Sequence, residues 1–281
     1  MPSATDSPRL IGRWWIRSAL YGFGCYAGLV LMLLFLENRL TFPLTTAAQY
    51  WQPPPVPTIQ DVTLASSDGI HIHAWWLPVD NSDLAILYCH GNAGNLSQRG
   101  PAIVRMSKLL NASVLIIDYP GYGKSEGSPT EAGCYAAADA AHAWLVDQKK
   151  IAPRKILLFG ASLGGGVTTD LASRTDCRAL VLVKTFASLP DVASDLYWWL
   201  PAPKRWLMRN RFDNLAKIAQ CKRPVFLAHG TADRLIPVTH SKRLYQAANE
   251  PKQFLELPGD HNDPLPEMMF TELKAFLDRH P

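Results

Sequence analysis

The sequence lacks features that identify several classes of protein. Its 28 Lys+Arg and 24 Asp+Glu residues nearly balance at a net charge of +4, and no basic block occurs, so nothing indicates a nucleic-acid partner. The five cysteines form no CxxC pair and no Cys/His cluster, which argues against structural zinc, and their odd number excludes a fully paired disulfide framework. Hydrophobic residues nevertheless make up 48% of the chain, which excludes a disordered protein.

One long apolar run lies near the N-terminus. From residue 18 to residue 36 no side chain is charged, and a helix of that length would span about 28 Å, close to the thickness of the hydrocarbon core of a bilayer. Basic residues precede the run at Arg9, Arg13 and Arg17. By the positive-inside rule they predict a cytoplasmic segment 1–17, a single transmembrane anchor 18–36, and the bulk of the chain on the non-cytoplasmic side.

Two other interpretations of this run are a cleaved signal peptide and a buried helix of a globular domain. The run is long for a signal peptide, and the nearest small-residue cleavage site, Thr46-Ala47-Ala48, lies well past its end. We therefore favour an uncleaved anchor. The five prolines in residues 37–60 predict an extended, fairly stiff link between the anchor and the following domain.

Residues 61–281 alternate between short apolar runs and helical patterns, which predicts an α/β domain with a mostly parallel sheet and helices on both faces. An initial hairpin would add an antiparallel edge. The predicted strands are Asp61–Ser66, Ile70–Val79, Leu84–Cys89, Val114–Asp118, Ile156–Phe159, Leu180–Val183, Val225–Ala228 and Phe254–Leu257. Between about residues 188 and 223 no strand pattern occurs, which predicts a helical or irregular insertion over the sheet.

The strongest local signal for chemistry is the GxSxG pattern Gly160-Ala161-Ser162-Leu163-Gly164, between an apolar run and a segment compatible with a helix. In that context a sharp strand-to-helix turn exposes the serine hydroxyl, and the helix N-terminus places a positive partial charge near a developing oxyanion. We therefore predict Ser162 as a catalytic nucleophile. The alternative is an ordinary glycine-rich turn that carries a solvated serine.

A serine hydroxyl needs a base, and the base needs a carboxylate to orient it. Asp233 lies in the loop after the predicted strand 225–228, and His261 lies in the loop after the predicted strand 254–257. Because the carboxyl ends of parallel strands meet at one edge of a sheet, Ser162, Asp233 and His261 can converge. Asp118, which also ends a predicted strand, is the second candidate for the acid.

Two backbone N–H groups are needed to stabilise an oxyanion. We expect them from Leu163, which follows the nucleophile, and from Asn92, in the loop after the predicted strand 84–89. The alternative for Asn92 is a plain polar turn.

His71 and His73 lie two residues apart on an edge strand and could bind a metal, but no third ligand is evident. An exposed strand face is the simpler interpretation of the two histidines. Acyl transfer by a serine, a histidine and an aspartate needs no metal and no organic cofactor, so none is predicted.

Several longer motifs resemble one family. They are HGNAGN at 90–95, DYPGYGKSEGSPTE at 118–131, GASLGG at 160–165, RFDN at 211–214, HGTAD at 229–233 and GDHND at 259–263. Over about residues 61–281 the chain resembles the serine α/β-hydrolase superfamily, and within it the membrane-anchored ABHD-type branch. The resemblance implies the α/β-hydrolase fold, the triad Ser162, Asp233 and His261, and the oxyanion donors Asn92 and Leu163.

The chain departs from that family at one place. Relatives often carry an acidic residue and a proline where this sequence reads Val183-Lys184-Thr185-Phe186, so the local pocket is expected to differ in shape. The family includes esterases, lipases, thioesterases and some peptidases, and the fold therefore does not define the substrate.

We expect a carboxylic-ester or thioester hydrolase that forms an acyl-enzyme on Ser162 and acts on a small-molecule ester or an acylated molecule. The membrane anchor makes a lipid ester a reasonable hypothesis. The alternative among enzymes is a serine peptidase or amidase. The alternative outside enzymes is a non-catalytic binding protein on the same fold.

The predicted insertion interleaves aromatic or sulfur-containing side chains with basic ones. These residues are Trp198, Trp199, Trp206 and Met208, with Lys204, Arg205, Arg209 and Arg211. They could shape an acyl pocket or touch a membrane surface. We expect instead that the aromatics pack onto the sheet and that the basic residues are solvated, since exposed aromatic patches are the exception.

Overall fold

The computed structural model describes residues 9–281, with side chains from residue 14 onward; residues 1–8 of the predicted cytoplasmic segment lie outside the described residues. Within these described residues, eight strands form one sheet, each where the sequence predicts it. They are β1 (Gln60–Ala65), β2 (His71–Leu77), β3 (Ala85–Cys89), β4 (Ser113–Ile117), β5 (Ile156–Ala161), β6 (Ala179–Val183), β7 (Val225–Gly230) and β8 (Lys252–Leu257).

The sheet has the strand order β1-β2-β4-β3-β5-β6-β7-β8. The β1–β2 and β2–β4 pairs are antiparallel, and the other pairs are parallel. Every residue of β3, β4 and β6 is buried, as expected for strands covered on both faces. The prediction of an α/β fold with a mostly parallel sheet and an antiparallel hairpin at its edge is confirmed.

The α-helices among the described residues are α1 (Arg9–Thr41), α2 (Gly100–Leu110), α3 (Glu131–Ala143), α4 (Leu163–Arg174), α5 (Leu189–Leu196), α6 (Lys204–Leu207), α7 (Asn214–Lys217), α8 (Thr239–Ala247) and α9 (Glu267–Arg279). Helices α2, α3, α4, α8 and α9 contact the sheet and cover its two faces. One buried apolar cluster includes Cys134 of α3, Leu171 of α4 and Leu244 of α8. A second cluster includes Ile103 of α2 and Phe270 of α9.

The region from residue 188 to residue 223 contains no strand, as expected, and holds α5, α6 and α7. The solvent exposure of its tryptophans differs from the expectation. Trp198 and Trp206 are 81% and 83% exposed, and Trp199 is 53% exposed, so the expectation that they pack onto the sheet is wrong. Smaller apolar side chains such as Val192 and Leu200 are buried there instead.

Helix α1 extends beyond the predicted anchor 18–36 at both ends. Its segment Trp14–Thr41 is long and apolar enough to cross a membrane, and no other helix among the described residues is. Side chains 14–25 are exposed all round, whereas part of the helix from Tyr26 onward is covered by the insertion. The Tyr26 hydroxyl donates a hydrogen bond of 2.7 Å to the Pro201 carbonyl oxygen.

The proline-containing segment after α1 forms turns and isolated bridges and lies against the sheet domain. Phe42 is buried, and Leu44 forms an isolated parallel bridge with Gly94. The N–H of Gln52 donates to the hydroxyl of Ser97 at 3.1 Å. The segment is therefore part of the packed structure, in contrast to the stiff spacer that its composition predicts.

Candidate active site

Ser162 lies in the sharp turn between β5 and α4. Its φ of 52° and ψ of −117° fall outside the regions that non-glycine residues ordinarily adopt. Two hydrogen bonds hold it there, because its N–H donates to the Val183 carbonyl at 3.0 Å and its carbonyl accepts from the Thr185 hydroxyl at 2.8 Å. Such strain persists only where the surroundings impose it, and it is concentrated at functional sites.

Close backbone packing requires glycine on both sides of this turn. A Cβ on Gly164 would lie 1.9 Å from the Cys89 carbonyl oxygen, and a Cβ on Gly160 would lie 2.5 Å from the Gly164 carbonyl oxygen. These backbone atoms cannot move aside without displacing the turn. The same packing brings the loop after β3 to the serine, because a Cβ on Gly91 would lie 3.4 Å from the Ser162 Cβ.

The structure brings Ser162, His261 and Asp233 together. The Nε2 atom of His261 lies 3.1 Å from the Ser162 Oγ, and its Nδ1 atom lies 2.7 Å from Oδ2 of Asp233. In the neutral ring Nδ1–H donates to the carboxylate, which leaves Nε2 able to accept the hydroxyl proton. The three residues follow β5, β8 and β7, the strand ends from which the sequence predicts that they converge.

Several donors hold the carboxylate of Asp233. Its Oδ1 accepts the N–H groups of Leu235 at 3.0 Å and Ile236 at 2.8 Å, and Nε2 of His229 lies 3.2 Å from its Oδ2. Burial alone would raise the pKa of Asp233, but the hydrogen bonds from His229, His261 and Ile236 outweigh it and hold the pKa well below its ordinary value. The group therefore stays ionised throughout the neutral range.

His229 lies closer to the candidate active site than the sequence pattern around it suggests. The pattern His-Gly after a strand predicts only a residue that shapes a loop. The side chain is fully buried, with Nδ1 at 2.7 Å from the Ser241 hydroxyl and Nε2 at 2.8 Å from the Ile236 carbonyl oxygen. His229 therefore holds the loop of Asp233 in position through Ser241 and Ile236, and it also contacts the carboxylate of Asp233.

Sequence reasoning gives no role to Lys184, although it lies where the chain departs from the family pattern. The residue is buried, and its Nζ donates to the carbonyl oxygens of Asp260 at 2.7 Å, His261 at 3.1 Å and Asp263 at 2.8 Å. Burial lowers the pKa of Lys184, and the carboxylates of Asp233, Asp263 and Asp260 oppose that shift. The ammonium group thus ties the loop of His261 to the end of β6.

We expect Lys184→Met to lower kcat for ester hydrolysis about 10- to 100-fold, because a displacement of the His261 loop by a fraction of an ångström misaligns the base. KM should change much less. Steady-state kinetics on p-nitrophenyl acetate would measure this, with the exposed Lys222→Met as control and thermal unfolding to establish that both variants fold. A folded Lys184→Met protein with the kcat of the wild type would contradict a positioning role.

The two expected oxyanion donors lie at the same end of the site. Asn92 and Leu163 line the cavity that also contacts Ser162. The side chain of Asn92 donates to the Thr41 carbonyl oxygen at 2.9 Å, and its backbone carbonyl accepts from the Tyr122 hydroxyl at 2.8 Å. These contacts hold Asn92 in place, and its backbone N–H donates to none of the described residues.

Asp118, the second candidate for the acid, does not contact His261. It is fully buried, its Oδ1 accepts the N–H of Leu96 at 2.8 Å, and the same atom lies 3.3 Å from Nε2 of His90. Its carboxylate therefore fixes the loop after β3 and is not placed to orient His261. The alternative assignment of the acid is wrong.

His71 and His73 each contact a carboxylate. Nδ1 of His71 lies 3.2 Å from Glu126, and Nε2 of His73 contacts Asp61. Among the residues that the structure describes, no three His, Cys, Asp or Glu side chains are grouped as metal ligands would be.

An apolar cavity of about 250 Å³ lies beside Ser162. One part of its wall belongs to α1 and another to the insertion, with Val30, Leu33, Leu34, Val192, Leu196 and Met208 among the lining residues. Such an aliphatic lining with few polar groups suits an apolar substrate group.

A strained serine after a central parallel strand, with a histidine and an aspartate from later strand ends, is the arrangement of an α/β-hydrolase. Comparison with known proteins gives the same class. A family model described as alpha/beta hydrolase fold matches residues 85–217. The chain belongs to the α/β-hydrolase family, because a relative with an alpha/beta hydrolase domain also matches 89% of its length at 31% identity.

Its relatives match most of its length. The uncharacterized protein Rv2307c of Mycobacterium tuberculosis is 36% identical over 246 residues, 85% of each chain. The alpha/beta hydrolase domain-containing protein WAV2 of Arabidopsis thaliana is 31% identical over 274 residues, 89% of each chain. Among solved structures, the Pyrococcus furiosus esterase Pf2001 has a TM-score of 0.69 at 20% identity, over 85% of this chain and 99% of its own. At that identity the structural similarity shows the fold.

Proposed function

We propose that the protein is a serine hydrolase that cleaves carboxylic-ester or thioester bonds through an acyl-enzyme on Ser162. The observation that carries the proposal is the hydrogen-bonded chain from Asp233 through His261 to Ser162, with distances of 2.7 Å and 3.1 Å. It meets the requirement that a base lies within hydrogen-bond reach of the nucleophile and that a third group orients the base.

In the first half-reaction, Nε2 of His261 takes the hydroxyl proton of Ser162 as Oγ attacks the carbonyl carbon of the substrate. Asp233 holds the tautomer of His261 and stabilises the imidazolium that forms. The imidazolium then gives its proton to the departing alcohol or thiol. The acyl group remains on Oγ of Ser162 as an ester.

The tetrahedral intermediate carries a negative charge on the former carbonyl oxygen. The backbone N–H groups of Asn92 and Leu163 donate to that oxygen, and one such donor is typically worth about 3–4 kcal/mol of barrier. The positive end of α4 adds to this stabilisation, because Leu163 is the first residue of that helix.

In the second half-reaction a water molecule attacks the acyl-enzyme. His261 takes a proton from the water and returns it to Oγ of Ser162, which releases the carboxylic acid and restores the enzyme. The scheme requires no metal and no organic cofactor.

We further propose that α1 is retained as a single-pass anchor and that the hydrolase domain lies on the non-cytoplasmic side. The buried Glu37 carboxylate near the end of α1 accepts the backbone N–H groups of Arg209 at 3.0 Å and Asn210 at 2.7 Å. Cleavage at Thr46-Ala47-Ala48 would remove Glu37 and leave these buried donors without their partner. This cost favours an anchor over a signal peptide.

Fluorophosphonate labelling of the full-length protein tests the proposed chemistry without knowledge of the substrate. We expect the wild type to be labelled on Ser162, and His261→Ala to react at least about 100-fold more slowly, since it lacks the base. A folded wild type that resists the reagent would contradict the proposal and favour a binding protein. Rates on matched ester, thioester and anilide substrates would then separate an esterase or thioesterase from an amidase.

A further inference from the structure

Helix α1 contacts the rest of the protein along one side. Partly or fully covered residues recur at helical spacing at Tyr26, Val30, Leu33, Leu34 and Glu37. On the opposite side, Leu31 is 66% exposed and Phe35 is 84% exposed. One side of the helix thus belongs to the domain, and the other is free to face lipid.

The carboxylate of Glu37 fixes this contact. Besides the two backbone N–H groups of Arg209 and Asn210, it accepts the side-chain amide of Asn210 at 3.0 Å. The same amide donates to Oδ1 of Asn38 at 2.8 Å. A buried carboxylate with three partners on one short segment holds α1 at a defined position against the insertion.

The cavity beside Ser162 lies between these two elements. Val30, Leu33 and Leu34 of α1 line one side, and Val192 and Leu196 of α5 line another. Thr41 lies at the Ser162 end, where Asn92 donates to its carbonyl oxygen. From Thr41 back to Val30 the helix rises about 16 Å, a length suited to an extended fatty acyl chain rather than to an acetyl group.

The insertion reaches the level of the apolar part of α1. The hydrogen bond from Tyr26 to Pro201 joins the two halfway along the helix. The strongly exposed Trp198 and Trp206 lie in the same insertion, and tryptophan is enriched where proteins meet the membrane interface. The cavity wall is therefore next to the region that the membrane would occupy.

From these contacts we infer that the cavity binds the tail of a long-chain acyl ester that partitions into the membrane, with α1 forming one wall of the binding site. The ester carbon lies at Ser162, and the aliphatic tail runs along α1 past Leu34 and Leu33 towards Val30. The inference rests on the proposed serine hydrolase function. It assigns to α1 a role in substrate selection in addition to anchoring.

The test uses the full-length protein in phosphatidylcholine vesicles, with p-nitrophenyl palmitate and p-nitrophenyl acetate as substrates. We expect the wild type to prefer palmitate. Leu34→Trp places an indole in the tail site and should lower the ratio of the palmitate to the acetate kcat/KM by at least about tenfold. Leu31→Trp is the matched control, because it adds the same side chain on the exposed side of the same helix and should leave the ratio unchanged.

An unchanged ratio in Leu34→Trp, or an equal fall in Leu31→Trp, would overturn the inference while acetate hydrolysis through Ser162 still stood. Failure of the proposed function has a different signature, in which the wild type hydrolyses neither ester and resists fluorophosphonate; this would overturn both. If thermal unfolding shows that Leu34→Trp does not fold, Val30→Phe tests the same wall further from Ser162. An unchanged ratio in that folded variant would likewise overturn the inference.

Discussion

Replacing Ser162 with alanine is expected to lower kcat for ester hydrolysis by on the order of 10⁶-fold, because no other group in the site can take over as nucleophile. The residual rate would come from the oxyanion donors and from substrate binding. Burst kinetics with p-nitrophenyl acetate would measure the loss, since the wild type should release one equivalent of nitrophenol as the acyl-enzyme forms. The variant should show neither a burst nor fluorophosphonate labelling.

Ser173→Ala is the matched control for this experiment. Ser173 lies in helix α4, and its hydroxyl donates to the Asp170 carbonyl oxygen within that helix. Like Ser162→Ala, this substitution removes one serine hydroxyl, but at a position away from the site, so it should leave kcat unchanged. A folded Ser162→Ala protein that retained full esterase activity would contradict the assignment of the nucleophile.

The sheet and the convergence of Ser162, Asp233 and His261 could be predicted because both depend on local patterns. Each strand is a short apolar run, and GxSxG has a defined meaning between a strand and a helix. The convergence of the three side chains follows from the rule that the carboxyl ends of parallel strands share one edge of the sheet. The residues that contact these three side chains have no such local pattern in the sequence.

Contacts between distant parts of the chain could not be predicted in this way. Lys184 donates to a carbonyl 76 residues later in the sequence, and Glu37 accepts from an amide 173 residues later. No period or motif links such pairs, because they depend on how finished elements pack. The apolar period of α1 likewise predicts a membrane helix but cannot show that Leu33 and Leu34 line a cavity.

Asp233→Asn is expected to lower kcat by on the order of 10⁴-fold while the backbone of the site stays in place, since an amide does not hold His261 in the required tautomer. The ionised carboxylate accepts Nδ1–H of His261, whereas an asparagine amide can turn its N–H₂ towards Nδ1. Nδ1 would then accept, Nε2 would carry the proton, and the hydroxyl of Ser162 would face a donor in place of a base.

The control is Asp260→Asn, next to His261 in the chain. Asp260 accepts the backbone N–H groups of Arg234 and His261 and does not contact the imidazole, and asparagine retains an acceptor oxygen there. If Asp233 acts through its contact with Nδ1, kcat should fall far less in Asp260→Asn, whereas similar losses in both would mean that the loss of negative charge near His261, and not the loss of the contact with Nδ1, lowers kcat. The folded-state pKa of Asp233 is depressed, so its ionised form stabilises the protein above the unfolded pKa of about 3.9. The difference in unfolding free energy between wild type and Asp233→Asn should therefore be full near neutral pH and shrink as the pH falls below that value, a trend that chemical denaturation would measure independently of activity.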